Sequence, residues 1–90
     1  MQFEWDDKKA ASNLAKHGLS FAEATTAFND PLYLDFFDPD HSDIEKRYIR
    51  VGCTKPHRPV ALPYTERGDL IRLISARPAT KTERQAYEEQ

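Results

Sequence analysis

The sequence predicts an α+β fold with a mainly antiparallel sheet, formed by one domain over residues 1–90. Three observations lead to this prediction. A chain of 90 residues can bury only one modest core. Two helical patterns come early in the chain, and several strand patterns separated by turn signals follow them. A further helical pattern closes the chain, so the predicted order is β-α-α-β-β-β-β-α.

The N-terminal part is predicted to form one short strand and two helices. The strand is expected over Phe3 to Trp5, and a helix from the cap residue Asp6 to about Lys16 follows it. Gly18 is suited to end that helix. The segment Ser20-Phe-Ala-Glu23 has the pattern of a capping box, which indicates a second helix that ends at Asn29-Asp30-Pro31.

Four strand patterns then follow. They cover Leu32 to Phe37, Arg47 to Cys53, Val60 to Tyr64, and Leu70 to Ala76. The last strand is apolar on both faces, which favours a central position. Pro63 cannot donate a ladder hydrogen bond, so its strand is expected at an edge or at a bulge.

Two turns and a second capping box are also predicted. The segment Asp38 to Asp43 is a predicted turn, and Thr65-Glu-Arg-Gly-Asp69 is a predicted hairpin turn. The segment Thr80-Lys-Thr-Glu83 opens a C-terminal helix that runs to about Glu89.

Charge is divided unevenly along the chain. Residues 1–44 have three lysines and nine carboxylates, whereas residues 45–84 have ten Lys and Arg side chains and four carboxylates. The second group is suited to bind a polyanion such as RNA. Solvated strand and loop positions would explain the same charges equally well.

Other sequence features predict the compartment and argue against metal chemistry. Cys53 is the only cysteine, so no internal disulfide can form, which fits a reducing compartment. No apolar run approaches the roughly 20 residues of a membrane span, and the first residues lack the pattern of a signal peptide. We therefore expect a cytoplasmic protein with no membrane partner. Because the three histidines are scattered, no metal and no cofactor is expected.

Several segments share their order and approximate spacing with a known family. They are Phe3–Asp6, Asn13–Gly18, Ser20–Ala24, Tyr64–Asp69, Ile71–Arg77 and Thr80–Arg84. Together they resemble the BrnT family of type II toxins. The resemblance implies a RelE-like fold, in which a four-stranded sheet plus a short N-terminal strand packs with two N-terminal helices and a C-terminal helix.

The same resemblance implies an activity and a partner. The implied activity is that of an endoribonuclease that cleaves RNA and inhibits translation. The implied partner is a BrnA-type antitoxin with a ribbon-helix-helix DNA-binding region, so operator DNA would be contacted only through the complex. At Pro63 an aliphatic residue is expected, so a degenerate, non-catalytic module that binds RNA or docks the antitoxin is the alternative.

RNA cleavage suggests which residue types form the site. The 2′-hydroxyl is itself the nucleophile, so the protein must align it, accept its proton and stabilise the charged transition state, and no metal is required. Arginine suits the last task because its planar fork matches phosphate oxygens. The expected catalytic residues are Glu66, Arg67, Arg72 and Arg77. The expected RNA-binding residues are Arg47, Arg50, Tyr64 and Lys81, and His17 is a candidate general acid.

Structural roles remain open for several of these residues. Arg77 could pair with Glu83, and Tyr64 is equally suited to the core. His17 lies at a helix end, where the helix dipole favours a positive charge. Strict alternation would place Arg72 and Arg77 on opposite faces, so both can serve one site only if the strand ends or bulges between them.

Overall fold

The computed structural model describes residues 1–41 and 43–90. In that part of the chain the strands are β1 (Gln2–Glu4), β2 (Leu34–Asp38), β3 (Arg47–Cys53), β4 (Pro59–Arg67), β5 (Leu70–Leu73) and β6 (Arg77–Pro78). The helices are α1 (Asp7–His17), α2 (Phe21–Thr25) and α3 (Lys81–Glu88). Short 3₁₀ helices cover Thr26–Asn29 and Pro39–His41. The predicted α+β class is confirmed.

The strands form one mixed sheet. Its order is β1-β5-β4-β3-β2, and β6 pairs with β4 beyond the end of β5. Every neighbouring pair is antiparallel except β1 with β5, which is parallel. The sheet is therefore mainly antiparallel as predicted, with one more short strand than the sequence indicated.

Local capping explains where α1 begins and ends and where α3 begins. The Asp6 carboxylate accepts hydrogen bonds from the first-turn amides of α1, and Gly18 ends that helix at a φ of 63°. In α3 both halves of the capping box form between Thr80 and Glu83. These boundaries agree closely with the sequence prediction, because each depends on residues only a few positions apart.

The second helix is shorter than the sequence predicts. Helix α2 ends at Thr25, and the chain continues as a 3₁₀ helix. The hydroxyls of Thr25 and Thr26 donate to the carbonyls of Ala22 and Glu23. Such side-chain bonds to the preceding turn compete with the regular helical pattern.

One face of the sheet packs on α1 and α2 and forms the core. Side chains alternate along a strand, so Val60, Leu62 and Tyr64 point to this same face. The Phe28 ring meets Tyr64 edge-on at 5.3 Å. This face is called the core face below. The opposite face, called the open face, carries Ala61 and Thr65, and α3 lies over its Ala61 end, where Glu83 pairs with Arg77.

Strand β4 is the middle strand, so the edge position expected for Pro63 is wrong. The alternative, a bulge, is confirmed, because two consecutive residues, Ile74 and Ser75, lie opposite Pro63. The Pro63 carbonyl accepts hydrogen bonds from Ile74 and Ser75 at 2.9 and 3.4 Å. The N and O atoms of one strand residue face the same edge. The missing N–H of Pro63 therefore faces the irregular segment 74–76, where β5 has ended and β6 has not begun.

The hairpin turn is tighter than predicted. Strand β4 continues to Arg67, which pairs with Leu70, so only Gly68 and Asp69 form the turn. Gly68 has a φ of 61°, which is typical of the first turn residue in a type II′ hairpin. The strand therefore includes Thr65, Glu66 and Arg67, and their side chains alternate between the two faces of the sheet.

Asn13 ties the first helix to the irregular segment. Its amide nitrogen donates to the carbonyls of Leu19 and Ala76 at 3.1 and 2.7 Å. Its oxygen accepts from the Ala76 amide and the Ser75 hydroxyl at 3.1 and 3.2 Å. This buried side chain therefore fixes where the chain leaves β5.

Candidate active site

A transverse row of polar residues crosses the open face of the sheet. Thr65 of β4 lies opposite Arg47 of β3 on one side and Arg72 of β5 on the other. The row continues to Asp38 on β2 and to Glu4 on β1. Directly opposed residues point to the same face. These five residues, called the polar row, therefore lie side by side across the sheet.

Arg67 joins the polar row from the end of β4. It lies two residues after Thr65 and so points to the same face. Its guanidinium makes a two-pronged pair with Glu45 at 2.8 and 2.9 Å. That hydrogen bonding raises the pKa of Arg67 and lowers the pKa of Glu45.

Glu4 lies between two arginines. Its carboxylate oxygens are 3.3 Å from a nitrogen of Arg72 and 3.9 Å from a nitrogen of Arg67. The side chains are 34%, 29% and 46% exposed, respectively. Ion pairs at this exposure are weak and exchange partners readily in water. A phosphate could therefore replace a carboxylate partner without unfolding the site.

Glu66 occupies the same end of the sheet but not the same face. It stands between Thr65 and Arg67 in β4, so alternation directs it to the opposite face. A shallow depression of about 320 Å³ adjoins this end of the sheet. Its lining residues are Glu45, Lys46, Tyr48, Thr65 and Glu66.

Arg77 is distant from Arg67 and Arg72. It pairs with Ala61, four residues before Thr65 on β4, which corresponds to roughly 13 Å along a strand. Its guanidinium makes a two-pronged pair with Glu83 of α3 at 2.7 and 3.0 Å. This pairing raises the pKa of Arg77.

Arg50 and Tyr64 lie on the core face. Arg50 is 8% exposed and makes a two-pronged pair with Asp35 at 2.8 and 2.9 Å. Its guanidinium lies 3.8 Å from the ring centre of Tyr33 and 4.6 Å from that of Phe28. Burial lowers the pKa of Arg50, but the Asp35 contact outweighs it, so the net change is upward.

The Tyr64 hydroxyl completes this buried network. It donates to Asp35 at 2.8 Å, and burial followed by the Asp35 contact raises the pKa of Tyr64. Its ring is 2% exposed. Arg50 and Tyr64 are therefore placed to hold β2, β3 and β4 together rather than to meet a ligand.

The remaining two predicted residues are outside the polar row. His17 is the last residue of α1, which packs on the core face. Lys81 is the first residue of α3 and is exposed. Arg47, Arg67 and Arg72 are therefore the predicted site residues that the fold brings together on one face.

Sequence reasoning missed Glu4 and Glu45, the carboxylates that pair with Arg72 and Arg67. Glu45 precedes β3, and Glu4 lies in the short first strand. Glu4 reaches Arg72 only because β1 runs parallel to β5 in the register that pairs these two residues. No local pattern encodes a pairing across so much of the chain.

Within residues 1–41 and 43–90, no group of three or more His, Cys, Asp or Glu side chains is arranged to hold a metal ion. None of the helices there combines the length and apolar character needed to cross a membrane.

Fold and site together define a small α+β protein with an accessible sheet face suited to an anionic polymer. The family model of BrnT, the ribonuclease toxin of type II toxin-antitoxin systems, matches residues 5–83. The chain belongs to this family, which confirms the resemblance seen in its sequence motifs.

A solved structure is also similar. The crystal structure of the Brucella abortus ribonuclease toxin BrnT, at 1.1 Å resolution, shares 26% sequence identity with a TM-score of 0.65. The alignment covers 90% of this chain and 99% of the Brucella chain. A comparison with curated proteins gives no significant match.

Proposed function

We propose that this protein is the toxin of a type II toxin-antitoxin pair and cleaves RNA as a metal-independent endoribonuclease on the open face. Cleavage of RNA in the cytoplasm would inhibit translation. The observation that carries the proposal is the convergence of Arg47, Arg67 and Arg72 on one accessible face, with Glu4 between two of them.

The proposed reaction is an internal transesterification. The 2′-hydroxyl oxygen attacks the adjacent phosphorus, the bond from phosphorus to the 5′ oxygen breaks, and the products end in a 2′,3′-cyclic phosphate and a 5′-hydroxyl. Arg67 and Arg72 stabilise the charge that develops on the phosphoryl oxygens. Arg47 holds a neighbouring phosphate. The departing 5′ oxygen takes a proton from solvent.

Glu4 and Glu66 are the two candidates for the base that takes the 2′-hydroxyl proton. Sequence reasoning favours Glu66 on the hairpin. The contacts of Glu4 with Arg72 and Arg67 favour Glu4, because a phosphate bound by these arginines would lie beside that carboxylate. A base must lie within hydrogen-bonding reach of the proton it accepts.

The activity is tested with purified protein and a labelled RNA in excess EDTA. We expect cleavage to 2′,3′-cyclic phosphate ends, and a rate reduced about 10²–10³-fold in Arg72→Ala. Arg84→Ala, which removes an exposed arginine of α3, is the matched control and should cleave normally. Intact RNA at stoichiometric wild-type protein would refute the nuclease. Salt-dependent binding of uncut RNA would favour the non-catalytic alternative.

The base is identified by comparing Glu4→Gln with Glu66→Gln. The variant that lacks the base should lose cleavage rate and also lose the acidic limb of the pH–rate profile. We expect this change in Glu4→Gln, with partial recovery in Glu4→Asp. An altered profile in Glu66→Gln alone would assign the base to Glu66.

We also propose that the neutralising partner is a BrnA-type antitoxin with a ribbon-helix-helix DNA-binding region. Membership in a family of type II toxins supports such a partner. Operator DNA would then be bound by the complex through the antitoxin. Co-expression of the antitoxin should restore growth that the toxin alone arrests, and a failure to do so would refute this pairing.

A further inference from the structure

The last strand of the sheet has an open edge. Among the described residues, β2 has one hydrogen-bonded neighbour, β3. Alternate residues of β2 therefore direct their N–H and C=O groups away from the sheet. Proteins usually protect such edges with charged side chains, especially lysine, with proline or with a covering segment. Strand β2, Leu-Asp-Phe-Phe-Asp, contains neither lysine nor proline, and its two aspartates interact with Arg50 and His41.

Large apolar side chains cluster at this edge. Phe36 and Phe37 project from opposite faces of β2 and are 42% and 53% exposed. The Phe37 ring meets Tyr48 of β3 at 5.8 Å, which leaves its outer side uncovered. Leu32 and Tyr33 just before the strand are exposed as well. Exposed apolar patches at an unpaired edge are typical of a protein interface.

The charge around the edge selects the kind of partner. Residues 17–45 contain no Lys or Arg. Asp40 and Asp43, which follow β2, are exposed. A second copy would bring the same acidic region, without lysine or arginine, to the interface, and like charges at an interface are unfavourable. A basic, extended segment would instead complement the edge.

We infer that the outer edge of β2 is the docking strand for the antitoxin. A basic, extended segment of the antitoxin adds to β2 as a further strand and places apolar side chains against Phe36 and Phe37. This inference rests on the proposed function, because it assigns a surface to the partner proposed there. The side chain of Gln90 donates to the Leu32 carbonyl, so the available edge begins beyond Leu32.

The outer edge of β2 is separate from Glu4, Arg67 and Arg72. The polar row reaches β2 only at Asp38, and β2 lies at the opposite side of the sheet from β1, which carries Glu4. An antitoxin segment on β2 can therefore anchor the complex while another part of the antitoxin covers the arginines. Substitution of Phe36 should weaken neutralisation without weakening RNA cleavage.

Amide hydrogen exchange on the full-length toxin, free and in complex with the full-length antitoxin, tests the inference. The outward amides of β2 should exchange at least about tenfold more slowly in the complex. Phe36→Glu should weaken antitoxin binding about tenfold or more, as loss of an aromatic anchor does. Leu14→Glu is the matched control, since Leu14 is half-exposed on α1. The RNA cleavage rate of free Phe36→Glu should equal that of wild type.

Each other outcome overturns the inference. A tight complex whose β2 amides exchange as in the free toxin would place the antitoxin elsewhere and leave the proposed function intact. Equal weakening by Phe36→Glu and Leu14→Glu would mean that the edge has no special role. If the β2 amides of the free toxin exchange more slowly as the toxin concentration rises, the edge binds a second copy of the toxin. Absence of any complex would refute the proposed partner together with the inference.

Discussion

Replacing Asn13 with alanine should be among the most damaging single changes outside the core. The substitution removes the partners of three buried backbone groups, the Leu19 carbonyl and both the carbonyl and the amide of Ala76. Each unsatisfied buried group costs about 1–3 kcal/mol. Water entering the vacated volume would offset part of this loss, so we expect about 3 kcal/mol. That is a large share of the 5–15 kcal/mol that stabilises a typical domain.

Urea unfolding followed by circular dichroism measures this loss. With a slope of roughly 1 kcal/mol/M for a small domain, the midpoint should fall by about 3 M. Ser12→Ala, an exposed neighbour in α1, is the control and should change stability by less than about 0.5 kcal/mol. A loss below about 1 kcal/mol in Asn13→Ala would show that segment 74–76 does not depend on this side chain.

Two further predictions concern ion pairs. Asp35→Asn leaves the buried Arg50 guanidinium without its charged partner, so the free energy of unfolding should fall by about 3 kcal/mol in urea titrations. Asp40→Asn, at an exposed position, is the control and should leave the free energy of unfolding unchanged. Equal effects of the two substitutions would contradict the buried pairing. The Arg77 contact lowers the pKa of Glu83 below its ordinary value of 4.5. The contribution of this ion pair to the free energy of unfolding is therefore complete above pH 4.5, and it is lost as the pH falls through the folded-state pKa of Glu83. Thermal melts from pH 7 to pH 3 should therefore show a smaller acid loss in Arg77→Met than in wild type, and identical losses would exclude this pair as the cause.

Features that depend on nearby residues were predictable from the sequence. The capping box of Thr80 and Glu83 and the stop at Gly18 define helix ends through contacts within one turn. The grouping of arginines in the second half of the chain was also visible. The sequence did not show which arginines share a face, because that depends on the strand register and on where a strand ends.

The pair Arg72 and Arg77 illustrates the limit. Alternation along an unbroken strand predicts opposite faces. The irregular segment 74–76 breaks the alternation, so both residues point to the same face, but four positions of β4 separate them. Arg50 was equally ambiguous, because its strand could have presented either face to the core. In both cases contacts from elsewhere in the fold, such as those of Asn13, decide the outcome.

The parallel pairing of the first strand has a consequence for biosynthesis. Glu4 is made early, but its neighbour Arg72 is added only after most of the chain has been translated. A ribosome-bound intermediate that ends before β5 contains Arg47 and Arg67 but lacks Arg72, so the contact between Glu4 and Arg72 cannot form in it. A growing polypeptide therefore cannot assemble this surface until its synthesis is nearly finished.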